Sequence, residues 1–137
     1  MDTNVVSEVM RHEPRPGVLV WIDQRASREL FVTAVTEAEI LAGIALLQPG
    51  RRRRRLAGAA ERTFSNLFPG RVLPFDSPAA RAYSEIVASR RAAGRPASLA
   101  DSQIAAVARS RGMAVATRNV RDFVAMGVEI FNPWSVT

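Results

Sequence analysis

The alternation of short apolar runs with helical segments is the feature that most constrains the fold of this chain. Four short runs predict β-strands at residues 30–35, 72–75, 113–116 and 128–131. Helical spacing of apolar residues and helix-end signals predict helices at residues 3–10, 18–23, 36–47, 51–67, 78–93, 100–111 and 120–126. Strands separated by helical crossovers favour a parallel sheet with helices on both faces. The sequence therefore predicts an α/β fold.

Length and composition limit the classes of protein that remain. The 137 residues predict one domain, residues 1–137, with enough length to bury a core. A hydrophobic content of 47% argues against disorder, and no apolar run is long enough to cross a bilayer. The chain has no cysteine, which excludes disulfides and thiolate metal sites and is typical of a cytoplasmic protein. His12 is the single histidine, which argues against a histidine-based triad or zinc site.

The charge of the chain favours a polyanionic partner. The net charge is +6, and all 19 basic residues are arginine. Five of them are consecutive: Arg51, Arg52, Arg53, Arg54 and Arg55. If this run is functional, it would bind phosphate without reading base sequence. The alternative is that it forms a solvated helix start, which is the more common role of such runs.

Three acidic residues and one amide are the candidate catalytic residues. Asp2 precedes the first predicted helix, Glu39 lies one turn into the helix after the first strand, and Asp101 opens a late helix. Asn119 follows the strand at 113–116. Functional groups in α/β sheets gather beyond the carboxyl ends of the strands, so all four could meet there. Clustered carboxylates repel one another unless a divalent cation with oxygen ligands is bound, and such an ion can activate water against a phosphodiester.

Each candidate also has a purely structural interpretation. Thr36 and Glu39 fit a capping box, in which a threonine and a glutamate satisfy the N–H groups at a helix start. Glu37 is the alternative acid. Asp2 and Asp101 could be ordinary helix N-terminal residues, and Asn119 could cap the helix at 120–126. Three further residues could orient ligands or water, or could make local backbone bonds instead: Thr3, Asn4 and Thr117.

Several segments, in order, resemble the PIN-domain ribonucleases of the VapC and FitB type. These segments are DTNVVSEVMR, VTAVTEAEILAGIALL, GRVLPFDSP, LADSQIAAVARSRGMAVATRN and FNPW. Each segment alone is weakly specific, but the ordered set covers nearly the whole chain. The resemblance implies a small α/β domain, a three-layer sandwich with a short parallel sheet flanked by helices. It also implies a homodimer that cleaves RNA with Mg²⁺ or Mn²⁺ and is blocked by a cognate antitoxin, with DNA contacted only through the antitoxin.

Matching the motifs implies roles for individual residues. Asp2, Glu39 and Asp101 correspond to three family acids, with Asp2 and Asp101 as metal ligands. The fourth position departs from the family pattern, because Asn119 stands where FitB-like proteins often carry aspartate. Asp122, three residues later, is the alternative fourth residue. An amide can still orient metal-bound water, but its neutrality should weaken metal binding.

The N-terminus is the second departure. Family members have a few apolar residues before DTN that form the central strand, whereas Met1 alone precedes Asp2 here. Either the natural start lies further upstream or the strand is supplied differently. If Met1 is the true first residue, we expect unpaired neighbouring strands and a poorly fixed Asp2, and we expect an apolar extension to improve stability and metal affinity.

Two functions follow from these patterns. The first is a metal-dependent endoribonuclease that acts as the toxin of a type II toxin–antitoxin pair. The second is a catalytically weakened PIN module that acts through antitoxin binding and operon repression. A nucleotide-binding enzyme of the P-loop or Rossmann type is excluded, because the chain lacks a suitable glycine-rich loop.

Overall fold

The computed structural model describes residues 1–135, in which six α-helices surround four very short strands. The helices are α1 (Thr3–Val9), α2 (Pro16–Asp23), α3 (Ala34–Ala45), α4 (Arg51–Leu67), α5 (Ser77–Ala92) and α6 (Leu99–Ser110). The strands are β1 (Val32–Thr33), β2 (Val72–Leu73), β3 (Val115–Ala116) and β4 (Ile130–Phe131). Single 3₁₀ turns lie at Ser27–Glu29 and Val120–Phe123. The predicted α/β class is confirmed, and no helix among the described residues is long and apolar enough to span a membrane.

The strands form two parallel ladders, β1 with β2 and β3 with β4, as crossover connections require. Each strand is only two residues long, so all four predicted strands were too long. The N-terminal residues lie between the two ladders. The Met1 ammonium donates to the Phe31 carbonyl at 2.8 Å, and the Asp2 N–H donates to the Ala116 carbonyl at 2.9 Å. These two residues therefore link the ladders in the position of a central strand.

The start of α3 corrects the sequence prediction for residues 30–47. Thr33, not Thr36, is the N-cap, and its hydroxyl accepts the Thr36 N–H at 3.1 Å. This cap starts the helix at Ala34, so the strand ends at Thr33. The capping box of Thr36 with Glu39 is therefore wrong, and Glu39 lies beyond the cap, in the second turn.

The segment after β3 also differs from its prediction. Instead of a helix over 120–126, a 3₁₀ turn covers Val120–Phe123. The next residues cannot continue it, because Val124 is extended and Ala125 has φ of +64°. The buried Arg90 guanidinium holds this turn by donating to the Val124 carbonyl at 2.6 Å.

Two hydrophobic clusters cover opposite sides of the ladders. The first is built around α1, α2 and α4 and includes Val5, Trp21 and Phe68. The second is built around α5 and α6 and includes Ile86 and Phe123. Adjacent residues of β3 belong to different clusters: Val115 packs in the second cluster and Ala116 in the first. This is a three-layer arrangement of helices, short parallel strands and helices.

Candidate functional site

Four of the predicted site residues line one open cleft of about 470 Å³. They are Asp2, Glu39, Asp101 and Asn119. The supporting residues Thr3 and Asn4 line it as well, together with Ser7, Glu8, Arg11, Arg118 and Trp134. Thr117, Asp122, Glu37 and the five consecutive arginines do not line it. The structure therefore brings these four residues together in one cleft, as we expected for residues beyond the carboxyl ends of the strands.

Asp2 is the deepest acid of the cleft, with 3% of its surface exposed. It is the N-cap of α1, and its Oδ1 accepts the Val5 N–H at 3.2 Å. Burial raises the pKa of this carboxyl from 3.8 to about 6, with a smaller contribution from repulsion by Asp101. A hydrogen bond from the Thr117 side chain opposes this shift. The expectation that Asp2 would be poorly fixed is wrong, because backbone and side-chain bonds both hold it.

Asp101 lies in the first turn of α6, where the helix start fixes its position. Ser98 is the N-cap, and its hydroxyl accepts the Asp101 N–H at 3.1 Å. Partial burial is the main cause that raises the pKa of the Asp101 carboxyl, with repulsion from Asp122 and Glu39 adding to it. A side-chain hydrogen bond with Ser98 and the charge of Arg90 act in the opposite direction. The carboxylates thus interact electrostatically across the cleft.

Glu39 projects from α3 on the exposed rim of the cleft. The hydroxyl of Thr3 donates to its Oε1 and lies 3.2 Å from the hydroxyl of Thr36, which is fully buried. This contact joins the start of α1 to α3 and orients the carboxylate. Glu37 lies two residues earlier in the same helix but outside the cleft.

Asn119 is exposed at the mouth of the cleft. It directly precedes the 3₁₀ turn, but its side chain makes no capping bond, so the interpretation of Asn119 as a cap is not supported. Its N–H donates to the Thr117 hydroxyl at 2.9 Å. Asn4 Oδ1 accepts the Arg118 N–H at 3.2 Å, which ties α1 to the same loop. Asp122 is exposed and lines a separate depression with Asn119.

Glu8 and Trp134 belong to the cleft but were missed from the sequence. Glu8 is 5% exposed and forms an ion pair with Arg11 at 3.1 Å. The indole of Trp134 lies 5.4 Å from the Arg118 guanidinium carbon, and its Nε1 is buried without a partner among the described residues. The polar positions Asn4, Glu8 and Arg11 recur at helical spacing, which is the signal that could have assigned Glu8 to this face of α1.

The donor set suits a hard divalent cation, because every acidic side chain in the cleft offers carboxylate oxygens. In the described part of the chain, no three acidic or histidine side chains lie close enough to share one ion directly. Mg²⁺ keeps several of its own waters and needs only one or two carboxylates. Asp2 and Asp101, whose charges repel each other, are the pair that fits such a site.

The chain matches the family model described as "PIN domain" over residues 1–128. Three curated relatives each align over 134 residues, which is 98% of this chain and 96% of theirs. They are the plasmid stability protein StbB of Pseudomonas syringae pv. tomato at 44% identity, toxin FitB of Neisseria gonorrhoeae at 39% and VapC ribonuclease Y4jK of Sinorhizobium fredii at 40%.

Solved structures agree with these relatives. FitAcB from Neisseria gonorrhoeae superposes with a TM-score of 0.89 at 38% identity, covering 98% of this chain and 97% of that one. FitAB bound to an IR36 DNA fragment gives a TM-score of 0.89 at 39% identity, covering 99% and 95%. With the family model, the relatives and the fold in agreement, the chain belongs to the PIN-domain family.

Proposed function

We propose that the chain is a Mg²⁺- or Mn²⁺-dependent endoribonuclease that acts in the cytoplasm as the toxin of a type II toxin–antitoxin pair. The observation that carries this proposal is the cleft in which Asp2, Glu39 and Asp101 come together from three different elements. Carboxylates with raised pKa values are stabilised in their ionised form by a bound cation. Support for RNA as the substrate comes from the net charge of +6 and from the relative named VapC ribonuclease.

Each of the four cleft residues has a separate role in this proposed reaction. Asp2 and Asp101 would hold the ion, which supplies charge neutralisation for the phosphate and the leaving oxygen. Glu39 is exposed and held by Thr3, so it can accept a proton from the attacking water. The water oxygen forms a bond to phosphorus as the bond to the leaving oxygen breaks, and that oxygen then takes up a proton. Asn119 can orient the water or the phosphate through its amide.

The partners follow from the relatives. FitB is named a toxin, and FitAcB and FitAB were solved as complexes, one of them with DNA. By this likeness we propose a cognate antitoxin that covers the cleft, contact with DNA through that antitoxin alone, and a homodimer.

Replacing Glu39 with glutamine tests the catalytic role. We expect Glu39→Gln to reduce Mg²⁺-dependent cleavage of labelled RNA by about 100-fold or more, because a positioned general base contributes that much. Glu37→Gln is the matched control, since it makes the same change in the same helix outside the cleft. Cleavage is followed on denaturing gels, with EDTA to remove the ion. Full activity of Glu39→Gln, or no cleavage by the wild type with either ion, would contradict the proposal.

A second candidate function is a weakened PIN module that acts through antitoxin binding. Two observations favour it: the neutral Asn119 in place of an acid, and the absence of three acidic side chains within reach of one ion in the described residues. The same cleavage assay separates the two candidates. The weakened module predicts no cleavage by the wild type while antitoxin binding is retained.

A further inference from the structure

A second and larger cavity, of about 690 Å³, opens directly beside the carboxylate cleft. It lies between α1, α3 and α4, and both cavities are lined by Thr3, Ser7, Arg11 and Glu39. Apart from Glu13 and Gly43, the remaining lining residues are apolar or basic, and they include Ile40, Ile44, Arg52 and Arg55. We call this cavity the α3–α4 groove. Because the two cavities share these four lining residues, a chain lying in the groove would lead toward the carboxylates.

The five consecutive arginines are not equivalent in this arrangement. Arg52 and Arg55, three residues apart on one face of α4, line the groove, whereas Arg51, Arg53 and Arg54 do not. Within the described residues, neither Arg52 nor Arg55 has a carboxylate partner within salt-bridge distance. These two guanidinium groups are therefore available to an anion in the groove.

Helix stability does not account for these arginines. They occupy the first turns of α4, where the helix dipole disfavours positive charge. The helix start has no acidic residue in its first turn and no side-chain capping bond. An anion bound beside Arg52 and Arg55 would relieve this unfavourable arrangement.

We propose that Arg52 and Arg55 bind consecutive phosphates of single-stranded RNA in the α3–α4 groove and lead the strand to the carboxylate cleft. This inference rests on the proposed nuclease function and assigns its substrate path. The basic wall suits the phosphates, and the apolar wall formed by Ile40 and Ile44 suits the faces of riboses and bases. Arg51 and Arg54 lie outside the groove and contribute only to the general positive field.

Two double variants with the same loss of charge in the same helix test the proposal. We compare Arg52→Gln/Arg55→Gln with Arg51→Gln/Arg54→Gln, using the full chain and a short fluorescein-labelled RNA of mixed sequence. Binding is measured by fluorescence anisotropy in EDTA over a series of NaCl concentrations, so that cleavage does not interfere. Circular dichroism checks that both variants are folded.

We expect Arg52→Gln/Arg55→Gln to weaken RNA binding about tenfold, because two exposed ion pairs with phosphate, each worth about threefold in affinity, are lost. The slope of log affinity against log salt should fall by about 1.4, or about 0.7 for each phosphate contact. Arg51→Gln/Arg54→Gln should change both quantities much less. Equal losses in the two variants, no loss in either, or no RNA binding by the wild type would overturn the proposal. If neither double variant changes the RNA affinity, the groove does not bind RNA, and a protein partner is the alternative occupant.

Cleavage by the wild type in Mg²⁺ is measured separately. RNA binding that depends on Arg52 and Arg55 without any cleavage would contradict the nuclease function and leave the RNA path intact. If the wild type cleaves RNA but both double variants lose the same amount of RNA affinity, the nuclease function is supported and the RNA path is contradicted.

Discussion

Asp2 combines two environments that favour opposite protonation states. As the N-cap of α1, its carboxylate accepts the Val5 N–H, which favours the ionised form. The hydrogen bond from Thr117 also favours the ionised form, but burial favours the neutral form more strongly, and the pKa is raised to about 6. Without a bound cation, the ionised Asp2 therefore destabilises the fold at neutral pH.

Replacing Asp2 with asparagine should stabilise the metal-free protein at pH 7. The folded pKa of about 6 lies above the value of 3.8 that applies to the unfolded chain, so the folded state binds more protons between these values. The wild-type free energy of unfolding thus falls as pH rises from about 4 to 6. Asparagine avoids this loss and still caps the helix, so the variant should gain up to about 3 kcal/mol at pH 7.

Denaturant unfolding in EDTA, at a series of pH values, measures this gain. The difference between wild type and Asp2→Asn should disappear below about pH 4, where both side chains are neutral. Asp76→Asn is a matched control, because Asp76 also caps a helix but is 37% exposed. A gain that is equal in both variants, or independent of pH, would contradict the proposed burial effect.

At the scale of the elements, Met1 and Asp2 link the two ladders through one hydrogen bond each. The Met1 ammonium is buried, and this burial lowers its pKa from 8.0 to about 6. The folded state therefore binds fewer protons than the unfolded chain between pH 6 and 8, and stability rises with pH over that interval. An amino group that titrates between pH 6 and 8 therefore lies between the two ladders.

Joining about four apolar residues ahead of Met1 should raise the melting temperature, since such a length matches a short strand. The extension replaces the buried amino group with an amide and adds apolar side chains ahead of the residues that link the ladders. It should also remove the rise in stability between pH 6 and 8.

An extension of the same length made of glycine and serine is the control. It removes the charge but offers no apolar side chains to pack. Thermal unfolding at a series of pH values compares the two extended forms with the original chain. If the apolar extension raises the melting temperature no more than the polar one, apolar packing ahead of Met1 does not stabilise the fold.

The helices could be predicted from the sequence because their end signals are local. Gly94 and Gly112 adopt φ of +68° and +66° at the ends of α5 and α6, as their positions after those helices indicated. The strands could not be predicted to length, because the Thr33 cap converts Ala34 and Val35 to helix despite their strand-like context. The sequence also could not predict that Asp2 is held in place, because its hydrogen-bond partners, Ala116 and Thr117, are more than 100 residues away along the chain.

At the scale of the whole molecule, the cleft lies at the seam between the two hydrophobic clusters. Asp2 and Glu39 project from α1 and α3, beside the first cluster, while Asp101 opens α6, which packs in the second. The candidate ligands thus come from both halves of the fold. The positions of the strand ends predicted that these residues converge. The sequence could not predict how deeply each side chain is buried or which charged groups surround it.

A cation bound by Asp2 and Asp101 should therefore join the two halves and stabilise the fold. At an ion concentration about 100 times the Kd, Mn²⁺ should raise the melting temperature by about 10 °C. Asp101→Asn should remove most of this increase, because one ligand from the second half is lost. Glu37→Gln, which lies outside the cleft, should keep it.

The same measurement decides which residue completes the site. Asn119 lines the cleft, whereas Asp122 faces a separate depression and interacts with Asp101 only through its charge. We expect Asn119→Ala to reduce the Mn²⁺-induced increase in melting temperature, because a neutral oxygen ligand or water-orienting group is removed. Asp122→Asn should change it less, since a screened charge at the surface has a weaker effect than a ligand. The opposite order, with Asp122→Asn the more damaging, would assign the fourth position to Asp122. It would then follow that the 3₁₀ turn moves toward Asp101 when the ion binds.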